Sequence, residues 1–149
     1  MKGRKNLAIM VVVTLLLVVH TTGCDILENT AKMQEYEMGD DKIPSINAVV
    51  GDERQATDVE SGFTSEGVQY KQYSYMSGTV TDDLQSYTQH LKDIGWVVTK
   101  DYNLTHITGE VELAKESVED DTVLVMAIVY ETGKYEVRIN KFRGTVTYY

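Results

Sequence analysis

Cysteine is almost missing from this chain: Cys24 is the only one, so no disulfide can close within it. Proline is as scarce, with Pro44 alone, and Trp96 is the single tryptophan. Basic residues are outnumbered, 14 Lys and Arg against 23 Asp and Glu, for a formal net charge of −9. No basic stripe interleaved with aromatics occurs, which argues against a nucleic-acid partner. Gly-rich phosphate loops and nucleophile-elbow motifs are missing as well. Long apolar runs are missing but for one, from Leu7 to Val19. It falls short of the ~20 residues needed to cross a bilayer and fits the core of a secretion signal.

What surrounds that run completes the pattern. Lys2, Arg4 and Lys5 precede it, and Thr21-Thr22-Gly23-Cys24 follows it. The small Gly23 beside Cys24 suits a peptidase with a narrow site at the scissile bond. Residues 1–24 resemble the signal peptide and lipobox of bacterial lipoproteins, although Thr21 stands where that family usually has Leu, Val or Ile. The resemblance implies diacylglycerol on the Cys24 sulfur and removal of residues 1–23. It also implies an extracytoplasmic protein anchored to the cell membrane through lipid on Cys24. Two other readings stay open: an uncleaved anchor, or an ordinary signal that leaves Cys24 a free thiol. Asp25 resembles the inner-membrane retention signal of diderm lipoproteins and carries no sorting meaning in a monoderm.

All three basic residues of the signal and none of the acidic ones leave with it. Residues 24–149 therefore keep 11 basic against 23 acidic residues, a formal charge of −12. Residues 24–45 read as a flexible, lipid-anchored tether, polar and charged, with a thin helical stripe from Ile26 to Met38 and Pro44 favouring an extended exit. Residues 46–149 read as one small α+β domain. Ile46, Ala48 and Val50 suggest a short strand, and Val68 to Met76 a clearer one. Leu84, Tyr87, Leu91 and Ile94 recur at helical period, with Thr79 or Thr81 as cap and Gly95 as stop. Trp96 then leads into a strand and is expected where helix meets sheet. Strands follow at 109–116, 122–130 and 134–142, with Val146, Tyr148 and Tyr149 as a final edge. The 122–130 segment is apolar on both parities, as expected of a central strand covered on both faces. The expected architecture is one helix on a curled, mostly antiparallel sheet of five to six strands.

Chemistry-bearing residues are few. His90 falls on the helix flank and His106 in a loop, without metal-ligand spacing, so neither a metal nor another cofactor is expected. Adjacent carboxylates such as Asp82-Asp83 and Glu119-Asp120-Asp121 sit at a helix start and a turn. The reading is therefore not an enzyme. Tyrosine is the conspicuous residue, ten in all, with Tyr70, Tyr73 and Tyr75 in one strand. Both parities are occupied, so at least one of these faces away from the helix. Tyr73, Tyr75 and Trp96 are the binding candidates. The expected role is to contact another envelope protein through the open sheet face. The alternative is a ligand-capturing module, with Trp96 and the strand tyrosines lining a pocket between helix and sheet for a small molecule or cell-wall fragment.

Overall fold

The computed structural model describes residues 33–51 and 53–147. The fold is α+β: six antiparallel strands form one open sheet, and two helices and a two-stranded hairpin lie on one of its faces. The hairpin comprises β1 (Glu35–Met38) and β2 (Asp41–Pro44), followed by α1 (Ile46–Val50). The main sheet and its helix follow as β3 (Ala56–Phe63), β4 (Gln69–Met76), α2 (Val80–Asp93), β5 (Val97–Lys100), β6 (Gly109–Glu116), β7 (Thr122–Glu131) and β8 (Lys134–Arg143). The strand order is β3-β4-β8-β7-β6-β5, with β3 and β5 as edges. The main sheet has six strands, but not the expected set: β3 is not among the expected strands, Val146 is not in a strand, and Tyr148 and Tyr149 lie outside the described residues. An open sheet replaces the curled one, and among the described residues two helices replace one.

The largest correction concerns the expected tether. Its C-terminal half is folded: Tyr36, Met38 and Ile43 face inward while Glu35, Glu37 and Lys42 face water. Gly39 at φ +66 makes the two-residue Gly39-Asp40 turn between them. The helix expected up to Met38 is therefore a strand over 35–38, and residues 26–32 lie outside the described residues. The strand expected at 46–50 is the helix α1. Ser45 caps it, accepting from Ala48 N, so the period-two apolar pattern is overruled by a cap.

The core lies between this layer and the inner face of the sheet. Leu84, Tyr87 and Leu91 of α2 meet Tyr73 and Tyr75 of β4, Val111 and Leu113 of β6, Met126 and Ile128 of β7, and Val137 and Ile139 of β8. Trp96, 3% exposed, joins that cluster where α2 hands over to β5, as its position in the sequence predicts. Gly95, at φ +94, permits the abrupt exit from the helix. Buried tyrosine rings dominate one end of the core. Tyr36 stacks on Tyr73 with centroids 4.3 Å apart, and Tyr75 on Tyr135 at 5.4 Å. Several of the buried hydroxyls are satisfied internally: Tyr36 and Tyr75 share a 2.6 Å hydrogen bond, and Tyr87 donates to the Pro44 carbonyl.

Two polar clamps hold the layers at opposite ends of β8. At one end Asp83 accepts from Arg54 Nε at 2.6 Å, Ser77 Oγ at 2.6 Å and Thr79 Oγ1 at 3.0 Å, with the Tyr135 hydroxyl at 3.4 Å. At the other end Lys141 donates to Asp41 at 2.9 Å, Glu119 at 2.5 Å and the Met38 carbonyl at 3.1 Å. Ser117 Oγ and Val118 N also donate to Asp41.

Candidate functional site

Alternation along each strand sends every second side chain to the face opposite the helices. No described element covers that face. Cross-strand partners point the same way, so the register names its occupants. One row runs Val97, Ala114, Val125, Asn140, Tyr70, and the next runs Lys100, Glu112, Ala127, Arg138, Gln72. A third holds Glu110, Val129, Glu136 and Ser74. Beyond the first row, Val123 pairs with Phe142. The second apolar parity of β7, which suggested a covered strand, therefore faces outward here, with Val129 52% exposed.

On the β3 side of this face sits a preorganised pair. The Arg138 guanidinium lies over the Tyr70 ring, 4.3 Å from its centroid, and its Nε donates to Asn140 Oδ1 at 3.3 Å. Stacking and that hydrogen bond fix the guanidinium plane, while no described carboxylate forms an ion pair with it. Tyr70 in turn lies across Gly62 of β3, where an added Cβ would come within 3.5 Å of the ring.

The binding candidates from the sequence land elsewhere. Tyr73 and Tyr75 are 2% and 1% exposed on the helix-covered face, and Trp96 is in the same core, so none of the three is a surface contact. Strand parity separates Tyr70 from Tyr73 and Tyr75, but it cannot say which set meets the helix. The expectation that one tyrosine of β4 faces away is met by Tyr70. The imagined pocket between helix and sheet is filled by the very side chains meant to line it. A cleft of about 350 Å³ opens instead at the end of the sheet. The start of α2, the His106-Ile107 loop and the β7–β8 turn enclose it, and neither Trp96 nor Tyr73 nor Tyr75 reaches it.

The large shifts belong to the buried tyrosines and smaller ones to the clamps, while on the open face the hydrogen bond and charge of Glu110 raise the Lys100 pKa. Burial alone would raise the Asp83 pKa, but hydrogen bonds from Arg54, Ser77 and Thr79 and the Arg54 charge outweigh it and hold the carboxyl below its usual value. Asp41 behaves alike, burial being outweighed by Ser117, Lys141 and the Val118 amide. Burial raises the pKa of Tyr73 to about 12, and pushes Tyr36, Tyr75, Tyr87 and Tyr135 up as well. Each shift is accounted for by a packed or hydrogen-bonded neighbour inside the fold. His90 lies on α2, His106 in the loop before β6, and Glu119 is engaged by Lys141. Cys24 lies outside the described residues.

No family model matches the chain, and neither a curated protein nor a solved structure matches it significantly.

Proposed function

We propose that this chain is a membrane-anchored lipoprotein that docks another envelope protein through the open face of its sheet. The observation that carries the docking surface is the Tyr70–Arg138 stack on that face, with Val125, Ala127 and Val129 of β7 on its other side. Tyrosine and arginine recur at the energetic centres of protein interfaces, because both offer large area with little entropy to lose. Here the two already hold each other in place, so binding would order little that is loose.

The lipobox-like segment supports the address. Met33 is partly buried against the core, nine residues after Cys24. A fully extended chain of that length spans about 30 Å. Such a short connection would hold the domain close to the lipid heads, where an envelope protein in the same membrane is within reach. The formal charge of −12 on residues 24–149 disfavours nucleic acid and anionic lipid as the docked partner. The role is a binding or assembly role, without chemistry of its own.

Chemical cross-linking in the native host tests this reading. The wild-type protein is expected to give a dominant protein adduct that Tyr70→Ala or Arg138→Ala removes, while Gln89→Ala on the outer side of α2 leaves it intact. An adduct indifferent to Tyr70 and Arg138 overturns the assignment of the open face.

A further inference from the structure

The two edges of the sheet differ. Each carries a register shift, between Val98 and Lys100 in β5 and between Ala56 and Asp58 in β3, but β5 is only four residues long, whereas β3 is eight and pairs without interruption from Asp58 to Phe63. No described element pairs with the outer side of β3. Its hydrogen-bonding pattern can be followed from the hairpin that joins it to β4. Thr64 N donates to the Val68 carbonyl, so Gly62, Glu60 and Asp58 alternate inward towards β4, and Val59, Ser61 and Phe63 turn their N–H and C=O groups outward. The Val59 N–H is indeed met only by the exposed Asp58 carboxylate beside it. β3 contains no proline, one of the guards of a free edge.

The side chains of this edge specify what it would take. Asp58 and Glu60 lie on the open face, opposite Ser74 and Gln72, and no described cation pairs with either. Val59 and Phe63 lie on the other face, with Phe63 71% exposed. A strand added here would place alternate side chains against the two carboxylates and the intervening ones beside Val59 and Phe63. A second copy of this chain fits poorly, because antiparallel β3–β3 pairing would set Asp58 and Glu60 against the same carboxylates.

We infer that β3 accepts an extended segment of a partner protein as a seventh strand, with Lys or Arg at alternate positions facing Asp58 and Glu60 and apolar residues between them. This rests on the protein-docking role above and names how the partner would engage the edge beside Tyr70.

The test uses the full chain in detergent micelles and a fluorescent peptide of alternating lysine and valine. Controls are an alternating glutamate–valine peptide and a lysine peptide with proline in place of valine. The lysine–valine peptide is expected to bind and to slow hydrogen exchange at Ser61 and Phe63, and neither control to do so. Ser61→Pro removes one outward N–H without touching the β3–β4 ladder and should weaken binding about tenfold, the worth of one such hydrogen bond. The double charge reversal Asp58→Lys with Glu60→Lys should weaken it at least as much. Equal binding of the lysine–proline peptide, or no effect of Ser61→Pro, means charge attraction alone and overturns strand addition. Slow exchange at Ser61 and Phe63 before any peptide is added means the edge is already occupied by the chain itself, and also overturns it. If the peptide fails while the adduct sensitive to Tyr70 and Arg138 persists in cells, the edge proposal falls and the open-face reading stands.

Discussion

The hydroxyls of Tyr36 and Tyr75 lie 2.6 Å apart in the core, joining the N-terminal hairpin to the central sheet. The Tyr36 oxygen also accepts from Ile46 N at 3.2 Å, so one buried atom serves three elements. Tyr36→Phe removes that acceptor and leaves the Ile46 amide without it. The expected loss is about 1–3 kcal/mol, the cost of a buried group left unpaired. Tyr75→Phe removes one partner only and should cost less. Urea unfolding of both single variants and the double variant measures this. A coupling near zero would mean that the pair contributes nothing of its own.

The hairpin itself is a second prediction. Were residues 24–45 a tether, deleting 25–45 would leave the domain unchanged. Met38 and Ile43 are 0% and 2% exposed, and losing their burial alone forfeits about 3–6 kcal/mol. That approaches the whole stability of a small domain. The truncated chain should therefore unfold, or lose its cooperative melt, by near-UV circular dichroism and calorimetry.

Stability should fall at both ends of the pH scale, through different groups. Asp41 and Asp83 have folded pKa values below the ordinary 3.8. The folded protein then holds fewer protons than the unfolded chain between those values. Their stabilisation is complete above about pH 4 and disappears as pH falls through the folded pKa values. Asp83→Asn and Asp41→Asn should flatten this acid limb and cost stability at neutral pH, most at Asp83, which is 2% exposed beside Arg54. The buried tyrosines work in the other direction. Their pKa values lie above the ordinary 10.0, at about 12 for Tyr73, so the folded state keeps protons that the unfolded chain releases. This stabilisation is complete below about pH 10 and is lost as pH rises beyond it. Absorbance at 295 nm should show Tyr36, Tyr73, Tyr75, Tyr87 and Tyr135 ionising together with unfolding. Independent, early titration of all ten would contradict the burial.

Anchoring is checked by the intact mass of protein extracted from the membranes of its native host. A mass for a chain beginning at Cys24 plus diacylglycerol, with or without a further acyl group, is expected. A mass for the full chain from Met1 would mean that Thr21 defeats the lipobox and that Cys24 is a free thiol.

Much of the fold was legible where apolar residues recur at a clean period. The stripe Leu84, Tyr87, Leu91 marked α2, and Val111 with Leu113 and Tyr135 with Val137 marked their strands. The hairpin carried the same kind of signal, since Tyr36 and Met38 alternate with Glu35 and Glu37 and a Gly-Asp turn follows. High charge masked it. β3 had no such signal: Thr57, Asp58, Glu60 and Ser61 are polar on both faces, and its membership in the sheet comes from hydrogen bonds to β4. The surface was harder still. Period alone showed that Tyr70 opposes Tyr73 and Tyr75, but only the placement of α2 decides which side is open. Arg138 stood out in no motif, because its role comes from lying beside Tyr70 across a strand pair formed by residues 68 positions apart.

The most direct measurement places a photoreactive amino acid at single positions and irradiates living cells. Val129 and Gln72 probe the open face; Gln85 and Gln89 probe the outer side of α2. The account predicts one protein adduct from Val129 and Gln72 and none from Gln85 or Gln89. Adducts from the helix positions, with none from the open face, would place the partner on the opposite side of the molecule and contradict it.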